Sequence, residues 1–388
     1  MTLRYLFYIL VAVVLLIGCN KDYCHVSQEK DEDVWISQIE LPVPINLSCA
    51  PLTKAAPYES LSQLTNNIGV FAIDKTKDVD EGIYMNNVKA TISDDKIKFV
   101  PEPVYYPYTS NEKLSFYGYY ARVSTGGVKV GSQSVDVPVE LGDTDILWAT
   151  AKAENFNVAG QWYDGYNARY IRALYLYDRT EYLPKFRFEH VTACLDFKIK
   201  KEENSTNRYT QRIRVTGLSL NNMCTKAFLR VADQRAYAEG GGFDESGYKV
   251  DEQGKRLEGV LIPDETSVGT LPMELMLGDY RKELPTFYTD LGCMYICPVE
   301  GLSTVSGQIQ IELYSMKEGT VVSTSSCNVP FTLDLSAEVG EFKAGYKYIL
   351  KLNLKESVEV SIGTVATIKP YMDAWGIDDA PEWDPDAI

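Results

Sequence analysis

Ile39-Glu40-Leu41-Pro42-Val43-Pro44-Ile45-Asn46-Leu47-Ser48-Cys49 alternates apolar residues with polar residues or proline without a break. A period of two places every apolar side chain on one face of an extended strand. The two prolines fit the same geometry. Backbone N–H groups two residues apart point to the same side of a strand, so Pro42 and Pro44 remove donors from one flank and leave the other intact. The expectation is an edge strand that pairs on one side only. Strand alternation this clean near the start of a chain directs the search for similar runs downstream.

They occur almost everywhere. Ile68–Ile73, Lys96–Val100, Lys113–Tyr120, Val128–Val139 and Asp145–Ala149 read as strands. A long apolar stretch runs from Phe186 and Phe188 through Val191, Leu195 and Phe197 to Ile199. Arg212–Leu220, Ile309–Leu313, Val329–Leu335 and Tyr346–Leu354 follow, and then Val358, Val360 and Ile362, with the pattern able to continue to Ile368. Turn residues separate these runs at Ser124–Gly127, Gly240–Gly242 and Lys317–Gly319. Short helices compete only at Leu61–Thr65 and Leu333–Val339. Many short strands with few helical patterns predict an all-β fold of sandwiches or partly open barrels. A chain of this length divides into two tandem β-sandwich domains. The charged stretch Lys200–Asn207 breaks the strand rhythm, which sets the domains at 36–195 and 196–388, the second carrying an irregular insert from Gly240 to Pro263.

The first residues have a separate purpose. Arg4 precedes the apolar run Leu6–Ile17, which is shorter than the roughly 20 residues of a membrane span and fits the h-region of a signal peptide. Leu16-Ile17-Gly18-Cys19 has the form of a lipobox. Gly18 is small enough for a peptidase cleft, and the Cys19 thiol is the acceptor for a diacylglyceryl group. The expected leader is 1–18, with Cys19 lipidated and anchored in the outer membrane at the cell surface. Residues 19–35 are polar and charged, as a flexible tether should be, and the acidic residues after Cys19 resemble surface-export signals.

Composition excludes several functions. Hydrophobic content of 45% supports real cores, and a formal net charge of −16 without a basic cluster speaks against nucleic acid as a partner. Of eight cysteines, Cys19 takes the lipid and an odd number remains. Cys293 and Cys297 on one strand would stand about 13 Å apart, beyond disulfide reach. Cys194, Cys224, Cys293, Cys297 and Cys327 read as small buried hydrophobes; Cys24 and Cys49 could pair, though nothing demands it. The two histidines, His25 and His190, do not suffice for a zinc site and have no nucleophile motif beside them. The glycine cluster at Gly240–Gly242 lacks the ending of a phosphate loop. The acidic tail after Pro370 has no EF-hand spacing. No cofactor, no metal and no enzymatic activity are expected. Trp148, and Trp162 with Tyr163 and Tyr166, are candidate stacking platforms for sugars, with buried core or loop aromatics as the alternative.

Scattered motifs carry a resemblance. They are Cys19 in its lipobox, Thr53-Lys54-Ala55 ahead of Ile68-Gly69-Val70-Phe71, Tyr105-Tyr106-Pro107 and Phe116–Tyr120. Asp145–Ala149, Phe188-Glu189-His190, Phe342–Gly345 before Tyr348, and Trp375 complete the set. In order and over most of the chain, they resemble the fimbrillin family, lipoprotein-derived (type V) pilus subunits of anaerobic gut and oral bacteria. The resemblance implies transthyretin-like sandwich domains, export as a lipoprotein, removal of the first strand by a trypsin-like protease, and insertion of a strand from the next subunit into the vacated groove. Ile36–Ala50 is then the removable strand, and Lys54, followed by Ala55, the cut site; the family usually has Arg there. The alternative is that Ile36–Ala50 is a permanent first strand. Val358–Ile368 is either a donor strand or the last strand of its own sheet. The implied partners are other fimbrial subunits, the outer membrane through the lipid, and a surface glycan or protein. A non-polymerising glycan-binding lipoprotein and a membrane-retained pilus anchor are the alternatives.

Overall fold

Period-two patterning becomes strand over most of the chain. The computed structural model describes residues 42–50, 67–101, 103–108, 111–154, 156–201, 211–237, 242–244, 248–275, 277, 283–334, 336, 340–354 and 362–363. The expected leader, tether, Cys19, Lys54, Ala55 and acidic tail lie outside the described residues.

The first half holds β1 (Leu47–Cys49), β2 (Ile68–Asp74), helix α1 (Val79–Gly82), β3 (Ile83–Ser93), β4 (Lys96–Phe99) and β5 (Leu114–Tyr120). Then come β6 (Lys129–Val130), β7 (Ser134–Glu140), β8 (Leu147–Ala151), β9 (Phe156–Val158), β10 (Gln161–Tyr163), helix α2 (Ala168–Leu176), β11 (Lys185–Phe186) and β12 (Glu189–His190). The second half holds β13 (Ala193–Lys201), β14 (Gln211–Asn221), β15 (Lys226–Asp233), β16 (Gly242–Phe243), β17 (Lys249–Val250), β18 (Val260–Pro263) and β19 (Met273–Leu275). It ends with β20 (Thr289–Ile296), β21 (Thr304–Lys317), β22 (Thr320–Asp334), β23 (Lys347–Leu354) and β24 (Ile362–Gly363). The fold is all-β.

The largest sheet has eight strands in the order β11-β1-β4-β3-β2-β5-β8-β12. Its two outermost strands, β11 and β12, are separated in sequence only by Arg187 and Phe188. The chain can span that gap only if the sheet curls until its edges nearly meet, as in a partly closed barrel. A second sheet, β18-β15-β7-β6, lies against it. Trp148, fully buried on β8, donates its indole N–H to the Val231 carbonyl at 2.9 Å. Gly259, at φ +67°, passes so close over the same ring that a Cβ would stand 2.5 Å from it, so only glycine fits. Lys152 pairs with the buried Glu258, and the Tyr117 and Tyr237 hydroxyls hydrogen-bond beside them. Burial pushes the Glu258 carboxyl above its ordinary pKa, against the pull of Lys152. The second sheet thus joins residues 129–140 to residues 226–263, from opposite sides of residue 195.

Two more four-stranded sheets, β20-β13-β23-β24 and β19-β14-β21-β22, come from the second half. Their inward rows, Leu195, Phe197, Leu350 and Leu352 on one and Val215, Ile309, Ile311 and Phe331 on the other, belong to one continuous core that also holds Trp148 and Tyr117.

Several expectations change. The apolar stretch Phe186–Ile199 holds three strands, β11, β12 and β13, in two sheets, because the chain there passes between the edges of the large sheet and on into the next. The insert at Gly240–Pro263 is less irregular than its composition suggests: it contains the β16–β17 hairpin and β18. A helix also lies outside the two stretches expected to compete. Asn167 caps α2, its side chain accepting from the Tyr170 N–H at 2.8 Å, and Tyr170, Ile171 and Leu174 form the buried face. Leu333 and Asp334 end β22 as strand, and Leu61–Thr65 lies outside the described residues.

Candidate functional site

The site is the slot that holds the first strand. Odd-numbered residues Ile45, Leu47 and Cys49 are buried, and Pro42, Pro44 and Asn46 are exposed, so the alternation has the predicted face. On the odd flank, the Ile45 N–H donates to Val104 at 2.8 Å, Tyr106 donates to the Val43 carbonyl at 2.9 Å, and Cys49 donates to Asp95 at 2.8 Å. On the even flank, Ser48 donates to Pro184 at 3.2 Å and Ala50 to Phe186 at 2.7 Å. Both missing proline donors fall on this even flank, ahead of the point where β11 begins to pair.

The expected edge strand is therefore half right. The proline end pairs on the odd flank, as predicted. The Leu47–Cys49 end is interior, antiparallel to β4 and parallel to β11. The sequence could not show this, because the parallel partner lies at Lys185–Phe186, far along the chain.

Apolar residues line the floor. Leu47 stands opposite Ile97, and Cys49 opposite Phe186. Tyr106 is buried and meets Phe116 edge-on at 6.0 Å between ring centroids. Gly118 leaves room for the Phe186 ring, which a Cβ there would approach to 2.7 Å. Burial pushes the Cys49 thiol up to about 12, helped by the nearby Asp95 carboxylate, so the thiol stays protonated and unreactive. The same effect raises the Tyr106 hydroxyl well above its ordinary range.

A second cluster joins two motifs that the sequence quoted separately. His190 Nδ1 hydrogen-bonds the Asp145 carboxylate at 2.5 Å, and the Thr192 hydroxyl donates to its other oxygen at 2.6 Å. Asp145 and Thr192 are fully buried. Asp145 precedes β8 and His190 ends β12, so the cluster pins the last strand of the large sheet to its neighbour. Glu189, beside His190, accepts from the Tyr248 hydroxyl at 2.9 Å and pairs with Arg256 at 3.2 Å. At the far motif, Phe342 packs edge-on against Tyr348 at 4.8 Å, and the Tyr348 hydroxyl accepts from Lys343 N–H at 2.9 Å. Gly345 supplies φ +76° for the turn between them.

The remaining candidates separate. Trp148, Tyr163 and Tyr166 are buried and serve the core; Trp162, on the β9–β10 hairpin, is 68% exposed. Cys194, Cys224 and Cys297 are buried as expected, whereas Cys293 and Cys327 are half-buried. Among the described residues no group of three or more His, Cys, Asp or Glu side chains is arranged to hold a metal ion.

The quoted motifs thus seat the first strand (Tyr105-Tyr106, Phe116–Tyr120) or lock the sheets around it (Asp145–Ala149, Phe188–His190). A family model for fimbrillin-like proteins matches residues 53–370. The chain belongs to the fimbrillin-like family. Among solved structures, this fimbrillin-like chain is similar to a fimbrial protein from Bacteroides vulgatus, at 13% identity over 86% of this chain and 99% of that one, with a TM-score of 0.45. It is also similar to the fimbrial anchor protein Mfa2 from Porphyromonas gingivalis, at 9% identity over 84% and 99% of the two chains, with a TM-score of 0.34. Among curated proteins none matches the chain.

Proposed function

We propose that this fimbrillin-like chain is a structural and adhesive subunit of cell-surface fimbriae, assembled by exchange of its first strand. One observation carries the proposal. Pro42–Ala50 occupies a slot between β4 and β11 with backbone bonds on both flanks, yet at its proline end it is bound on one flank only. A replacement strand gains its footing where the resident strand is half-bound, then displaces it bond for bond, with apolar side chains entering the positions of Ile45, Leu47 and Cys49. Each buried large apolar side chain contributes about 1.5–3 kcal/mol, so an empty slot is a strong acceptor.

The rest of the proposal follows the sequence. Cys19 carries the lipid that holds the chain to the outer membrane, and cleavage after Lys54, ahead of Ala55, frees the first strand. The partners are other fimbrial subunits. The protein is not an enzyme: the Asp145–His190 pair is buried and occupied in bracing the sheet. The division into two sandwich domains near residue 195 belongs to the same proposal, with residues 226–263 returning to the first. The test is the N-terminus of the protein recovered from sheared and cell-bound fractions. A start at Ala55 in the sheared fraction is expected. An acylated Cys19 in every fraction, with no shorter form, would overturn strand exchange.

Trp162 supports a second reading, that of a retained glycan-binding lipoprotein, because a large aromatic exposed on a hairpin strand can stack on a sugar ring. Trp162→Ala would then abolish retention on a glycan array while leaving the thermal transition unchanged. Equal retention of both proteins would remove this reading.

A further inference from the structure

The outer face of the sheet β20-β13-β23-β24 gathers positive charge in an acidic protein. Leu195, Phe197 and Ile199 on β13, and Leu350, Leu352 and Leu354 on β23, are buried in the main core, so the residues alternating with them look outward. In the parallel register Lys198 stands beside Lys351, and Lys200 beside Asn353. Tyr288, just ahead of β20, reaches over them and donates its hydroxyl to Asn353 Oδ1 at 2.8 Å. The Lys200 ammonium stands 4.6 Å from the centroid of the Tyr288 ring and the Lys351 ammonium 5.1 Å. Their neighbours have carboxylates: Lys198 pairs with Asp290 at 3.2 Å, and Lys347 with Asp196 at 2.8 Å. Lys200 and Lys351 share a ring instead, and among the described residues neither has a carboxylate at ion-pair distance. An aromatic face attracts a cation through its quadrupole but carries no net charge, so two ammonium groups drawn to one ring still repel each other. An anion relieves that repulsion. Both lysines are only half-buried, which leaves them open to one from outside.

The chain carries such an anion close by. β24 pairs with β23 through Gly363 and Asn353, so the described residues end opposite the residue whose side chain holds Tyr288. Residues 371–388 then carry Asp373, Asp378, Asp379, Glu382, Asp384 and Asp386 without a Lys or Arg. The link from 364 to 370 can span about 25 Å when extended. The way back from β24 across β23 to β13 is two strand spacings, about 10 Å. We infer that Lys200 and Lys351, gathered on Tyr288, are the docking site for the acidic segment 371–388 of the same chain. Its carboxylates lie against the two ammonium groups, and the contact weakens as salt rises. The inference does not depend on strand exchange.

The experiment uses the full chain mixed with an equal amount of isotope-labelled protein. A carbodiimide joins only ammonium and carboxylate groups already in contact, and the linked peptides are read by mass spectrometry. Links from Lys200 or Lys351 to carboxylates of 371–388 are expected within one isotope, with the Lys198–Asp290 link as internal control. Acylation of Lys200 and Lys351 by acetic anhydride should rise several-fold when the six carboxylates are changed to Asn or Gln, while that of Lys198 stays the same. The substitutions lie outside the folded sheets, so they test the contact without disturbing its lysines. High salt should raise acylation of the same two lysines in the parent alone. Tail links absent beside a normal Lys198–Asp290 link, or spread evenly over the lysines of the chain, overturn the inference. Links joining the two isotopes place the segment on a neighbouring copy and overturn the same-chain assignment. Equal acylation of parent and variant overturns the docking site itself.

Discussion

Strands β1 and β22 are opposites. β1 has three residues and lies inside a sheet, held on both flanks. β22 has fifteen residues and, among the described residues, pairs only with β21. Length does not decide which strand is interior. Val329, Phe331 and Leu333 are buried at the far end of β22, but Thr324, Ser325 and Ser326 are exposed in succession, so both faces of that stretch meet solvent. β1 has a single unbroken apolar row, and each member finds a floor. A strand is fixed by the continuity of its buried row and by the partners available to its backbone, more than by how far it extends.

The sharpest way to break the comparison is Leu47→Asp, which places a carboxylate opposite Ile97 on a closed floor. A loss of about 4 kcal/mol or more is expected, read from the midpoint of urea unfolding. If stability fell by less than about 1 kcal/mol, β1 would be as loosely held as the tip of β22. Ile45→Ala should cost about 2–4 kcal/mol by the same measurement.

The next effect depends on pH. The folded Cys49 thiol ionises near 12, above its value of about 8.5 in an unfolded chain. Its contribution to stability is fully present below about pH 8.5 and is lost as pH rises toward 12, because the unfolded chain gives up the proton first. Buried tyrosines add slopes of their own, so the test is the difference between the parent and Cys49→Ala from pH 8 to 11. The parent should lose stability more steeply, and parallel curves would show that Cys49 is not buried in its slot. The smallest effects are expected where strands meet water. Pro44→Ala, at the half-bound end of β1, and Val321→Lys, on the exposed start of β22, should each change stability by no more than about 0.5 kcal/mol in thermal melts.

Much of the fold was legible because burial follows alternation. Ile68–Ile73, Lys113–Tyr120, Arg212–Leu220 and Tyr346–Leu354 all became strands. β3 escaped because its parity changes partway along. Met85 and Asn87 are buried, then Ala90 and Ile92, and the slip occurs where Asn87 takes φ +52° and the register with β2 shifts. A bulge hides a strand from any search for period two. Asn87 is nonetheless well held, accepting from the Tyr119 hydroxyl at 2.9 Å and donating to Val123 at 3.0 Å. Half of the candidate site was legible too: the buried row and the one-sided prolines were in the sequence, and the β11 flank was not. The Asp145–His190 contact was hidden for the same reason, since its two halves meet only after the sheet has curled.

That curl has a mechanical consequence. With β11 and β12 joined by Arg187 and Phe188, the two edges of the large sheet are held side by side by the chain itself and not by the resident strand. On the proposed strand exchange, the vacancy left by β1 is a socket whose rim is closed by that link. In the proposed fibre a strand lying in it runs lengthwise along the slot, so a tug along the fibre loads its backbone bonds in shear. Load shared in parallel is what a thread of separate, non-covalently joined units needs in order to hold under flow.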